Sequence, residues 1–205
     1  MSFSEARQQL LRDFLFCVQE ERTPPLGQYM ADYVRSGDVA ADDYRLFPIT
    51  ASALGWLTTS SDCLTDCMIE LQSKYEEQIA DTMGGHTERG WRELGVVGFN
   101  VLEGPALDIL AIEETTRRRD WAEPKLASID WERVLLRALV DFGRYVKVKQ
   151  ISLLPADLCL PPDEIRSDPA RLDAFQAALK RRHDYSASAF GFEYDESLCR
   201  FVLNL

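Results

Sequence analysis

Residues 94–114 read LGVVGFNVLEGPALDILAIEE, two apolar runs joined by a short turn-forming segment. The first run reaches back to Trp91 and is dense in strand formers: Val96, Val97, Phe99 and Val101. Branched and aromatic side chains of this kind pack well on a pleated surface. Glu103-Gly104-Pro105 supplies the turn and residues 107–112 the second strand, so the segment reads as a β-hairpin. Gly95 and Gly98 fall inside the first strand, where glycine marks a bulge or a close approach of packing partners better than a nucleotide loop.

Beyond the hairpin, residues 113–130 form a polar, Arg-rich connection, EETTRRRDWAEPKLASID. The spacing then predicts a helix over 130–146, with Val134, Leu135, Ala138, Leu139, Phe142 and Val146 on one face and Ser128 or Asp130 as its N-cap. A strand over 148–154 stops at Pro155. Ser167-Asp168-Pro169 opens another helix, a capping residue before proline in the first turn, and Leu172, Phe175, Leu179 and Ala189 share its apolar side. Gly191 ends it, and strands at 192–194 and 199–203 close the chain.

On the other side of the hairpin the pattern reads as helical. Leu10, Leu11, Phe14, Leu15 and Val18 define an amphipathic helix over 4–22, ended by Pro24-Pro25. Short helices are expected at 28–35 and 50–57. A long one is expected over 62–83, where Leu64, Met68, Leu71, Tyr75 and Ile79 recur at helical spacing before Gly84-Gly85. The expectation is therefore an α/β (α+β) protein with a helical N-terminal region at 1–90 and a mixed α/β core at 91–205, packed as one compact unit.

The chain has 205 residues, with 23 Lys and Arg against 34 Asp and Glu, a formal charge of −11. That balance argues against nucleic-acid binding, since phosphate contacts need a positive surface. Scattered carboxylates also fit poorly with mimicry of a nucleic acid. No secretory leader is evident, and no apolar run approaches the roughly 20 residues of a membrane span. Five widely spaced cysteines read as free thiols in a reducing cytoplasm. Cys63 and Cys67, four apart, would share a helix face, but no second ligand pair completes a metal site and no metal is expected. A Cys–His pair through Cys159 or Cys199 lacks any local signature, and no phosphate-binding loop of the P-loop type occurs.

After Leu94 the order is hairpin, helix, strand, helix, strand pair. The ending ALKRRHDYSASAFGFEYDESLCRFVL, residues 178–203, carries a last helix, a Gly-Phe turn and a closing hairpin. This half of the chain resembles the GNAT superfamily of acetyl-CoA-dependent N-acyltransferases. The resemblance implies a GNAT-like mixed sheet flanked by helices, with the strand at 107–112 splayed from that at 148–154. Acetyl-CoA or another acyl-CoA would lie between them, with its pyrophosphate at the start of the helix near Ser128 and an amine as acceptor. The family's glycine-containing phosphate loop is missing between Glu113 and Asp130, where Arg117, Arg118 and Arg119 would pair with the phosphates instead. The family's proton-donating tyrosine position is Ala187 here. The proton-transfer candidates are accordingly Glu113, at the end of the central strand, and Tyr185. A rival reading takes the chain as a non-catalytic module, with Leu57, Leu64, Met68, Leu71 and Tyr75 as a protein-partner or homodimer surface.

Overall fold

The structure is a computed structural model that describes residues 5–19, 33, 43–50, 57–58, 64–79, 86–102, 104–114, 126–161 and 163–205. Its centre is a seven-stranded mixed sheet. Strands β1 (Tyr44–Thr50), β4 (Cys67–Ile79), β5 (His86–Leu102) and β6 (Ala106–Glu114) form an antiparallel meander. Strands β7 (Gln150–Leu153), β8 (Glu193–Asp195) and β9 (Arg200–Asn204) complete the order β1-β4-β5-β6-β7-β9-β8. A separate small ribbon pairs β2 (Leu57–Thr58) with β3 (Leu64–Thr65). Among the described residues only β6 and β7 run parallel, and the connection between them carries helix α2 (Trp131–Tyr145).

The hairpin lies where the sequence predicts it, and both of its glycines have a structural reason. A Cβ on Gly95 would lie 2.7 Å from the Trp131 ring, so the missing side chain lets α2 sit directly on β5. The β5–β6 register shifts after Gly98, leaving Leu110 as an extra residue on β6.

The N-terminal half differs from the expected run of helices. Helix α1 (Glu5–Gln19) forms, and its Phe14 ring packs edge-on against Phe99 and Phe142 at centroid distances of 5.5 and 5.3 Å. The long helix expected over 62–83 is instead strand β4, paired on both sides by β1 and β5. Cys67, Ile69 and Leu71 join the main core, while Met68 packs with Val96 and Ile49 in a separate cluster. That alternation has the period of a strand. Cys67 is therefore not on a helix face with Cys63, and Met68 and Leu71, expected on one helical stripe, belong to opposite faces of the sheet. Thr50 ends β1 and Leu57 lies in β2; residues 51–56, which make up most of the helix expected over 50–57, and the helix expected at 28–35 apart from Tyr33 lie outside the described residues.

The C-terminal half follows its expected order. Helix α3 (Asp163–Arg166) precedes α4 (Pro169–Lys180), which Asp168 caps by accepting from the Ala170 and Arg171 amides at 3.1 and 3.3 Å. A π-helical turn (Arg181–Tyr185) then leads into α5 (Ser186–Ala189). The Ser186 hydroxyl donates to the Arg181 carbonyl across that turn.

Candidate functional site

The parallel pair β6–β7 is short. It runs from Ala106↔Gln150 to Ile109↔Leu153, and one further bond, from the Leu154 amide to the Ile109 carbonyl at 3.0 Å, closes it. Beyond that rung β7 ends, whereas β6 continues to Glu114 paired only with β5. The two strands thus part as a fork, and the side of β6 turned towards β7 has no strand bonded to it past Ile109 among the described residues.

The π turn touches both prongs. On the β7 side, His183 Nδ1 lies 2.6 Å from the Leu154 carbonyl oxygen, and the Asp184 carboxylate accepts the Ala156 amide at 3.0 Å. On the β6 side, the Arg182 guanidinium meets Glu114 at 3.0 Å and stands over the Trp131 ring, 5.4 Å from its centroid. The neighbouring Arg181 donates from Nε and Nη2 to one oxygen of the buried Glu132, at 3.0 and 2.9 Å. Arg182 Nε is buried with no hydrogen-bond partner among the described residues.

A carbonyl oxygen only accepts, so the contact with Leu154 fixes the neutral His183 ring as the Nδ1–H tautomer and leaves Nε2 with its lone pair. His183 is 1 % exposed. Burial holds its pKa below the usual value; the Leu154 bond and the charges of Asp184 and Glu113 pull it up, and Arg182 pushes it down. Cys159 Sγ stands 3.9 Å from the same Nδ1, whose proton already serves Leu154, so the two do not form a nucleophile–base pair.

Of the residues expected from sequence, Glu113 is the next-to-last residue of β6 and is 6 % exposed. Cross-strand register aligns it with Phe47, Glu70 and Val96 on one face of the sheet. Burial is also the main cause of the raised Glu70 pKa. Tyr185 is 67 % exposed, while the neighbouring Ala187 is fully buried, so the two point to different sides as their spacing implied. Ser128 lies beside the start of α2, hydrogen-bonded to the Tyr44 hydroxyl. Arg117, Arg118 and Arg119 lie outside the described residues. Helix α2 begins at Trp131, and Asp130 makes no side-chain cap bond, so the first amides of the helix are not closed off by its own N-cap.

The sequence reading missed His183, Arg182 and Asp184. The one available signal was that the chain has only two histidines, one of them seven residues before the Phe190-Gly191 turn. A separate hollow of about 310 Å³ opens beside α2 between Tyr33, Arg133, Arg137 and Phe190. Of its guanidiniums, Arg133 pairs with Asp130, while Arg137 and Arg144 share Asp141. Among the described residues no group of three His, Cys, Asp or Glu is arranged to hold a metal ion, and no helix is long and apolar enough to cross a membrane. No family model matches the chain, and no curated protein or solved structure is significantly similar to it.

Proposed function

We propose that the chain is a GNAT-like protein that transfers an acyl group from an acyl-CoA to an amine. The observation that carries the proposal is the fork, formed where the parallel strand pair β6–β7 separates after a few rungs within a seven-stranded sheet. The sheet order, the crossover helix between the forked strands and the Gly-Phe turn before the closing hairpin agree with the resemblance drawn from the sequence.

The residues present fit such a group. The side of β6 past Ile109, to which no described strand is bonded, faces the fork where an extended amide-bearing chain would lie. The amides at the start of α2 favour an anion. The acyl-CoA supplies an activated carbonyl, and the remaining work falls to the protein. Glu114 stands near the fork on the face that carries Trp131, with Glu132 beside it on α2, and Glu113 stands on the opposite face of β6. Arg181 and Arg182 tie two of these carboxylates in place. Glu113, buried at the strand end, is positioned to receive a proton from an incoming amine.

The test is a thermal-shift and calorimetric titration with acetyl-CoA and CoA. A ligand that binds only the native state raises its stability by about 2.7 kcal/mol at a hundredfold excess over Kd. Saturable one-to-one binding is expected. Absence of binding at millimolar concentration overturns the proposal and leaves the fold unchanged.

A further inference from the structure

We infer that the hollow beside α2 is a binding site for a small organic acid, a single carboxylate carried on an aromatic body. It is a site apart from the fork and does not depend on the acyl-transfer reading.

The spacing along α2 builds the site. Arg133, Arg137, Val140 and Arg144 follow one another at intervals of four, three and four residues, which places them on one stripe of the helix. Trp131, the ring under Arg182 at the fork, comes two residues before Arg133 and so belongs to the opposite side of the helix. Three guanidiniums are thus gathered around a hollow of about 310 Å³ in a chain whose formal charge is −11.

Two of the three have donors to spare. Arg137 is held through Nε by Asp141 at 2.7 Å and by the Tyr33 hydroxyl. Arg144 gives only Nη1 to the same carboxylate, at 3.1 Å. Arg133 approaches Asp130 at 3.8 Å, an ion pair too long for a hydrogen bond. Neither the Arg133 nor the Arg144 side chain has a further partner among the described residues. An ion pair as exposed as Arg133–Asp130 holds weakly, so Arg133 can turn to a ligand.

Around the hollow three guanidiniums face two carboxylates, an excess of one positive charge. A monocarboxylate cancels that excess and matches the planar guanidinium fork with its two oxygens, whereas a phosphate dianion would stand against Asp130 and Asp141. The rest of the lining suits an aromatic body. The Tyr33 and Phe190 rings border the space and pack against the main core, and the buried Val140 lies within the stripe. Tyr33 is fixed further by its carbonyl, which accepts the Asp130 amide at 2.9 Å. The volume is at the lower end of the roughly 300–1,000 Å³ of small-molecule sites, which fits a small acid better than a peptide.

Phenylacetate is the probe, titrated into the full chain by calorimetry and by NMR of the arginine Nε–H groups. One-to-one binding with a Kd of about 1 mM or below is expected, with the Arg133 and Arg144 resonances shifting. Arg133→Gln should weaken binding about tenfold and Arg133→Lys should recover part of the loss. Arg166→Gln removes a similarly exposed guanidinium from α3 and should bind as wild type does. 2-Phenylethanol, a neutral analogue, should not bind, and phenyl phosphate should bind more weakly than phenylacetate.

No phenylacetate binding at millimolar concentration, an equal loss in Arg166→Gln, or equal binding of 2-phenylethanol overturns the site. Tighter binding of phenyl phosphate overturns its assignment to a carboxylate. Displacement of phenylacetate by acetyl-CoA overturns its separateness from the fork, whereas failure of acetyl-CoA to bind bears on the acyl-transfer reading alone.

Discussion

Replacing Gly95 with alanine should unsettle the fork through Trp131. The new Cβ would stand 2.7 Å from Cε3 and Cζ3 of Trp131 and 3.1 Å from the Glu113 carbonyl oxygen. Carbon atoms pack best at about 3.5–4.0 Å, so the overlap with the ring is about 1 Å. The carbonyl cannot yield without breaking the Gly95↔Glu114 pairing of β5 and β6. Trp131, 3 % exposed, must therefore move, and with it the start of α2 and the ring face under Arg182. Overpacking of this kind costs about 1–3 kcal/mol, and the restricted unfolded chain returns about 0.4–1 kcal/mol. The net expectation is a loss of about 1–2 kcal/mol, or about 2–8 °C in Tm for a chain of this size. Urea unfolding followed by circular dichroism measures it. In a Trp131→Leu background the clash is gone, so the same substitution should cost at least about 0.5 kcal/mol less. A Gly95→Ala protein as stable as wild type, or a penalty identical in both backgrounds, refutes the reasoning.

Three further outcomes are expected. Asp168→Ala removes the acceptor for the Ala170 and Arg171 amides and should cost about 1 kcal/mol in urea unfolding, with Asp168→Asn retaining most of it. Phe14→Ala empties the edge-on contacts with Phe99 and Phe142 and should cost about 3–5 kcal/mol; a loss below about 1 kcal/mol would mean that α1 is not part of the core. The lowered His183 pKa means that the unfolded chain binds its proton first, so this contribution is complete above the ordinary histidine range and is lost as pH falls through the folded value. Wild-type stability should drop by up to about 1.4 kcal/mol per pH unit within that window relative to His183→Asn, whereas Glu70, whose pKa is raised, works in the opposite direction in both proteins. Parallel stability–pH curves for the two proteins would contradict the buried neutral imidazole.

The second half of the fold was legible because each element carries its own signal. Gly104-Pro105 makes the hairpin turn, Asp168-Pro169 starts a helix, and the apolar face of α2 repeats cleanly. Strand β4 was not legible. Its Glu70, Gln72, Lys74, Glu76 and Glu77 are residues that favour helices, and Leu64, Met68, Leu71 and Tyr75 imitate helical spacing. Pairing with β1 on one side and β5 on the other overrides both tendencies, and nothing within residues 62–83 encodes those neighbours. The site divides the same way. Glu113 could be placed near the fork because it stands close to the end of a recognisable strand. His183 could not, because its place there depends on Leu154, a residue 29 positions away, and on a π turn that shifts the helical faces out of regular count.

The central claim is that the side of β6 beyond Ile109, to which no described strand is bonded, receives the acyl donor. Hydrogen–deuterium exchange of the amides from Leu110 to Glu114, with and without saturating acetyl-CoA, tests it most directly. Slower exchange in this segment and in the first turn of α2 on adding acetyl-CoA is the predicted result. Binding that leaves both segments unprotected would contradict the account and place the ligand elsewhere on the molecule.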